Sequence, residues 1–245
     1  MEENNVSSQD TASHLNKSKL NQQQIAGAII VAGIIVAGAI LLKGTTEPQV
    51  NQVPNGGNMV AGAAVPERAA GDQIMGNTNA EITLILYEDF QCPFCGKFFQ
   101  ESEGPIKESY MKNGQVKIVY RDFAFLGTES VRAAEAARCA GDQGKFWEYH
   151  DYLYTHQNGE NNGAFADVNL KSFARNLGLN EGSFNACLDT SKHSRSVVEA
   201  KNEATLVGVS GTPKGFILKN GKVLDTIDGA IPYVMVQQKL DAALK

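Results

Sequence analysis

The sequence predicts an α/β domain with a central mixed sheet and an inserted block of helices, preceded by one apolar membrane-spanning segment and a linker. Three observations support this reading. Ile82 to Tyr87 forms a short apolar, partly β-branched run that suits a buried strand; a helical stretch follows it, and then a second strand pattern runs from Val116 to Tyr120. From about residue 128 to residue 207 the apolar period is helical. Beyond it, Phe216-Ile217-Leu218 and Val223-Leu224 flank Asn220-Gly221, the strongest short-range signal for a hairpin.

Before this domain the chain changes character three times. Residues 1–24 are polar, without apolar periodicity, and read as a disordered cytoplasmic tail. Residues 25–42 contain only Ile, Val, Leu, Ala and Gly, an uncharged run long enough to cross a bilayer as a helix. A buried core helix is the poorer reading, because a segment apolar all round beside a polar tail has no core to enter. A cleaved secretory signal is the stronger rival: Ala37-Gly38-Ala39 has the small-x-small form of a cleavage site, but it lies inside the apolar run after an unusually long polar stretch. An uncleaved signal-anchor is therefore favoured. Lys17 and Lys19 precede the segment and only Lys43 closely follows it, which places the N-terminus in the cytoplasm and the rest outside. Residues 43–71 mix Gly, Pro, Asn and Ala as a flexible linker would, so the folded domain is expected over residues 72–245.

Within that domain, the helix after Cys95 runs to about Lys112 and is closed by Asn113-Gly114, giving a strand, helix, strand unit and hence a parallel pair with a crossover helix. In the helical block, Leu170, Phe173, Ala174 and Leu177 share one face before Gly178; Phe184, Cys187 and Leu188 mark the next helix, and Val197, Ala200, Ala204 and Val207 another. Pro232 opens a last helix that carries Tyr233, Val236, Leu240 and Leu244 on one side. Phe146, Trp147, Tyr149 and Tyr154 read as core of the insert rather than as a binding patch, since large aromatics are normally buried.

Composition narrows the function classes. The 245-residue chain is 42% hydrophobic and 20% charged with a formal net charge of -5, and no stretch supplies the clustered basic surface that nucleic acid requires. The four cysteines are too few for a disulfide scaffold, and they are unevenly placed: Cys92 and Cys95 form a CxxC, while Cys139 and Cys187 are single. No second CxxC or close histidine pair completes a zinc site, because His14 lies in the tail and His150, His156 and His193 are dispersed. No metal and no cofactor are expected.

Cys92-Pro93-Phe94-Cys95 sits where a buried strand ends and a helix begins. The free N–H groups and dipole at that end stabilise a negative charge, so Cys92 should hold a thiolate more easily than a free cysteine. Two intervening residues bring both sulfurs within bonding reach, Cys92 at the mouth and Cys95 one turn deeper.

The run Tyr87-Glu88-Asp89-Phe90-Gln91-Cys92-Pro93-Phe94-Cys95, the segment Ala140 to Trp147 and the segment Gly208 to Pro213 together resemble the DsbA-like thiol-disulfide oxidoreductases, including membrane-anchored bacterial forms, over about residues 72–245. The resemblance implies a thioredoxin fold with an inserted helical domain, catalytic Cys92 and Cys95, and a cis-proline at Pro213 opposite them. It implies that Thr212 offers backbone groups to an extended substrate segment, and that Cys139 and Cys187 form a structural disulfide, as two cysteines in one subdomain would in an oxidising compartment. Two positions depart from the family pattern. Leu86 stands six residues before the first cysteine, where members often carry a proton-accepting carboxylate; Glu88 and Asp89 lie nearby without a readable facing, and neither is assigned a role. Lys214 follows the proline where relatives often carry a small or neutral residue, and it is read as a solvated side chain.

The expected function is an extracytoplasmic, membrane-tethered oxidoreductase that passes the Cys92–Cys95 disulfide to reduced or misfolded proteins and is reoxidised by a membrane partner or small oxidant. The same residues suit a reductase or isomerase running the other way. A non-catalytic peptide-binding module beside Pro213 is the reading from a different class.

Overall fold

The computed structural model describes residues 64–245; the expected tail, the membrane segment at residues 25–42 and the linker as far as residue 63 lie outside the described residues. Among the described residues no helix is long and apolar enough to cross a membrane. A short strand β1 (Gln73–Met75) comes first, followed by β2 (Ile82–Glu88) and β3 (Val116–Asp122). Both β2 and β3 are buried along their whole length. Near-continuous apolar strands are what a sheet covered on both faces requires. They pair in parallel, from Ile82 opposite Val116 to Glu88 opposite Asp122, and the crossover between them is helix α1.

α1 starts as an α-helix at Pro93–Phe98, widens into π turns at Phe99–Glu103 and Lys107–Met111, and has one α turn, Gly104–Ile106, between them. Pro105 lacks the N–H that an α-helix interior uses, and the wide turns beside it accommodate that loss. The helix ends where expected, with Gly114 in the left-handed region at φ 77°. After the insert, β4 (Lys214–Lys219) and β5 (Lys222–Asp228) form the predicted hairpin, Asn220 and Gly221 both having positive φ. The sheet order is β1-β3-β2-β4-β5, and only β2 and β3 run parallel.

The helical block comprises α2 (Thr128–Gly141), α3 (Phe146–Thr155), α4 (Asp167–Asn176), α5 (Glu181–Asp189) and α6 (Ser194–Leu206); α7 (Tyr233–Ala243) closes the chain after Pro232, which stands just before its first turn. Strand alternation sorts the core. Leu84 and Leu86 face α1 and α7, packing with Phe98, Ile106, Val236 and Leu240, while Ile85 and Tyr87 face the opposite side with Ala204 of α6 and Phe216. The insert has its own core of Phe146, Tyr149, Leu153, Leu170 and Phe184. Each fully buried side chain of this size contributes roughly 1.5–3 kcal/mol. The aromatics expected in that core are there, Trp147 only partly covered.

The folded domain begins before Asp72. Val65 is buried against Ile85 and Val119, and the carbonyl of Pro66 accepts from Arg121 Nη2 at 2.8 Å. The same guanidinium donates to both Asp72 oxygens, at 2.6 and 3.0 Å, and to Tyr87 Oη at 2.9 Å. A charge buried this deeply needs all its donors filled, and the segment before Asp72 fills one. Eight residues without periodicity carried no sign of this in the sequence.

A disulfide joins Cys139 on α2 to Cys187 on α5 across a sequence separation of 48 residues. Closing a loop of that length stabilises a domain by about 4 kcal/mol on the chain-entropy account. The double replacement Cys139→Ser with Cys187→Ser should therefore lower the urea-unfolding free energy by roughly 2–4 kcal/mol; a loss under 0.5 kcal/mol would show that the insert does not depend on the bridge.

Candidate active site

The last residue of β2 is Glu88, and four residues later Cys92 occupies the N-cap position of α1 with Pro93 as the first helical residue. The turn between is fastened from several sides. Asp89 accepts from the N–H groups of Gln91, Phe125 and Leu126 at 2.8, 2.9 and 3.1 Å and from Ser130 Oγ at 2.6 Å. Gln91 donates to Ser130 Oγ at 2.8 Å and accepts from the N–H of Asn161 at 2.6 Å. Gln157 Nε2 donates to the carbonyls of Phe90 and Cys92 at 2.6 and 3.1 Å. Gly96 makes that reach possible, because a Cβ there would lie 2.2 Å from Gln157 Oε1.

Cys92 and Cys95 are both free thiols here; Cys92 retains 5% exposure and Cys95 none, so an incoming sulfur meets Cys92 first. Cys92 is the N-cap residue of α1, and no side chain caps the helix. A hydrogen bond from the Cys95 thiol pulls the Cys92 pKa down to about 6 against its burial, helped by Thr212 and by the N–H groups of Cys95 and Phe94. Burial pushes the Cys95 thiol well up, and the bond to Cys92 and the charge of Glu88 add to that. One sulfur is thus an accessible thiolate near neutral pH and the other a buried thiol.

Thr212 and Pro213 lie directly opposite, joined by a cis peptide bond. The Cys92 thiol donates to the Thr212 carbonyl at 3.4 Å, and Thr212 Oγ1, buried and without a partner, remains as a donor for the thiolate. A depression of about 300 Å³ runs past them, lined among others by Gly211, Thr212, Pro213 and Gly229. Phe94 stands 61% exposed beside it, an apolar surface at the mouth. Lys214 is not solvated: its ammonium is paired with Asp228 and lies 5.2 Å over the Phe216 ring, so its charge is committed away from the sulfur.

Beneath the cysteines, Glu88 is fully buried and accepts from Tyr154 Oη at 2.9 Å. Burial first, then the charge of Glu103, hold its carboxyl well above the usual range. His150 Nε2 lies 4.0 Å from Glu88 and 3.8 Å from Glu103. These three groups offer ligand-type atoms within 4.8 Å of one another, as do Cys139, Cys187 and His193. The second set has both sulfurs in a disulfide. In the first, the carboxylates already face the Tyr154 hydroxyl and the Lys107 ammonium, which an ion would have to displace.

Residues 68–238 match the family model described as Thioredoxin. The chain belongs to the thioredoxin family. It is similar to the Na(+)/H(+) antiporter NhaA 1 of Salinispora arenicola, 33% identical over 160 residues, which are 64% of this chain but 23% of that protein; the chain thus spans about a quarter of the antiporter relatives it matches. A Rickettsia conorii protein named as a protein-disulfide oxidoreductase is 24% identical over 173 residues, 69% of this chain and 62% of that one. Among solved structures, oxidised BdbD from Bacillus subtilis aligns with a TM-score of 0.66 at 20% identity, covering 76% of this chain and 99% of that one. That likeness is one of fold.

In this thioredoxin-family domain the position six residues before Cys92 is an apolar core residue, Leu86, and Glu88 lies two residues further along the same strand face. Sequence reasoning assigned no role to Glu88, Asp89, Gln91, Glu103, His150 or Gln157. The parity of Leu86 and Glu88 was the available signal for one of them; His150 inside an apolar helix face with Phe146, Leu153 and Tyr154 was the signal for another. Cys92 also sets a pH dependence. Its folded pKa lies below its unfolded value near 8.5, so its stabilisation of the dithiol form is complete above about pH 9 and lost as pH falls through 6. The difference in unfolding free energy between the reduced parent and Cys92→Ser should grow as pH rises from about 5 to about 9.5. A flat difference would mean that Cys92 is an ordinary thiol.

Proposed function

We propose that this domain is a thiol-disulfide oxidoreductase that donates the Cys92–Cys95 disulfide to proteins outside the cytoplasm, tethered by residues 25–42. The observation that carries the reading is the split between the two sulfurs: Cys92 pulled down to about 6 at a helix N-terminus, Cys95 buried and pushed up one turn deeper. A substrate thiolate attacks the Cys92 sulfur of the oxidised pair, Cys95 leaves with the electron pair and takes up a proton, and a second substrate thiolate then releases Cys92. Glu88, whose carboxyl burial holds well above the usual range and whose charge bears on Cys95, is the candidate source of that proton. A good leaving thiolate at Cys92 favours the reduced enzyme, hence the oxidising direction.

Thr212 presents main-chain groups beside the depression, where an extended substrate segment can add as a strand, and Phe94 supplies apolar contact. Main-chain pairing reads little sequence, so substrates are reduced or partly folded proteins in general. The Cys139–Cys187 bridge supports an oxidising compartment, and the apolar run supports the tether. Reoxidation falls to a membrane partner or small oxidant, since each turnover leaves the pair reduced.

Glutathione equilibration of the purified domain should place the Cys92/Cys95 potential well above the thioredoxin value of about -270 mV. Cys92→Ser should abolish oxidation of a reduced test protein, and Cys95→Ser, whose lone Cys92 thiolate can attack but not resolve, should accumulate a mixed disulfide with a disulfide-bearing test protein. A potential near that of thioredoxin would reverse the direction, to reductase or isomerase, and a parent without any exchange would leave only peptide binding.

A further inference from the structure

The redox step proposed above leaves a difficulty that the fold must solve. Cys95 leaves as a thiolate at a position with no solvent exposure, next to Glu88, which has none either. Glu88 can give Cys95 its proton once; the resulting buried carboxylate beside Glu103 must then regain one from water. The phenols nearby do not serve, because burial pushes both Tyr120 and Tyr154 well up and keeps them as hydroxyls.

We infer that His150 and Asp151 form a proton path from solvent to Glu88, with Glu103 as a second carboxylate at its inner end; the inference rests on the redox reading of Cys92 and Cys95. His150 is fully buried, yet it adjoins a residue that reaches the surface. Its Nδ1 lies 2.8 Å from Asp151 Oδ1, and the Asp151 side chain is 48% exposed. Its Nε2 has no hydrogen-bond partner and faces Glu88 Oε2 at 4.0 Å and Glu103 Oε1 at 3.8 Å. Glu88 Oε1 also lacks a hydrogen-bond partner, whereas Glu103 Oε2 is met by the Lys107 ammonium at 3.1 Å. A buried ring nitrogen and a buried carboxyl oxygen without partners are costly unless a proton is shared between the two groups.

The surroundings confine the proton to this route. The imidazole is enclosed by Phe90, Phe99, Tyr120, Phe146, Trp147 and Tyr154, with ring centroids 4.8 to 6.1 Å from its own. The charged and titratable groups that face it are Glu88 on β2, Glu103 and Lys107 on α1, Tyr120 on β3, and Asp151 and Tyr154 on α3; Cys92 and Cys95 lie beyond Glu88. Lys107 bridges Glu103 and Asp151 at 3.1 and 3.8 Å and steadies both carboxylates. Burial works against the Asp151 charge, but hydrogen bonds with His150 and Lys107 outweigh it and keep it an acceptor facing the ring.

The balance is one proton and no electrons beyond the pair that leaves with sulfur. Cys95 takes the Glu88 proton, the Nε2–H tautomer of His150 gives one to Glu88 while Nδ1 takes one from the Asp151 carboxyl, water reprotonates Asp151, and a tautomer shift of the ring resets the path. The test is single-turnover reduction of the Cys92–Cys95 disulfide by dithiothreitol, acid-quenched and alkylated, from pH 5 to pH 9 in dilute and concentrated buffer. His150→Gln and Asp151→Asn should each slow it about tenfold near pH 7 in dilute buffer. Concentrated buffer should restore Asp151→Asn, whose lesion lies at the surface end, and the Cys92 thiolate absorbance should still titrate near 6 in both. A merely structural role would move that titration and would not respond to buffer. If His150→Gln does not fold, Asp151→Asn decides alone. Variant rates within twofold of the parent, or slowing that buffer does not relieve, overturn the path while leaving the redox reading intact. Stoichiometric zinc binding that His150→Gln abolishes also overturns it, because an ion on Nε2 removes the acceptor. A parent that does not exchange at all sinks both.

Discussion

The carboxylate of Asp89 holds the site together. At the end of β2 the chain must stop pairing, reverse and start a helix within four residues, in a place sealed from water on most sides. Backbone N–H groups left unpaired there would each cost about 1–3 kcal/mol. Asp89 takes three of them, from Gln91, Phe125 and Leu126, together with the Ser130 hydroxyl. Two of those donors lie between β3 and α2, so one side chain fixes both the turn that presents Cys92 and the point at which the helical insert leaves the sheet.

The same economy runs through the rest of the site. Stability resides in apolar layers on both faces of the sheet and in the separate core of the insert. Chemistry resides in the polar groups buried between them. The insert covers the reactive turn and also supplies parts of it: Ser130 and Asn161 hold Gln91, Gln157 holds the carbonyls of Phe90 and Cys92, and Tyr154 and His150 face Glu88. Covering the turn lowers the local dielectric, and this separates the two sulfurs. Charge on Cys92 is met by the Cys95 thiol and by hydroxyl and N–H donors, whereas charge on Cys95 is opposed by burial, the Cys92 sulfur and Glu88 and is met by one backbone hydrogen bond at Asp89.

Much of the architecture was legible because it follows from local rules. The apolar runs of β2 and β3, the Asn220-Gly221 hairpin and the helical period from Thr128 to Leu206 are visible one window at a time, and the strand-helix placement of Cys92 follows from two adjacent windows. Two boundaries were not. Val65 and Pro66 are held by Ile85, Val119 and Arg121, residues with which they share no sequence pattern. α6 belongs to the helical block by sequence, yet Ala204 packs on the back of the sheet.

By itself the sequence determined which two sulfurs share the start of a helix, which end of it they occupy, and that a proline-containing turn precedes the hairpin, because residue type and spacing settle those matters within a few positions. Only the tertiary structure decided what surrounds them. Glu88 and Asp89 are adjacent in the chain and identical in charge type, but pleating sends one beneath Cys95 toward His150 and the other into the turn as its anchor. Whether a carboxylate lies buried beneath the cysteines or clamps the backbone depends on which groups from 36 to 66 residues away arrive beside it, and that is a property of packing rather than of the chain's local order.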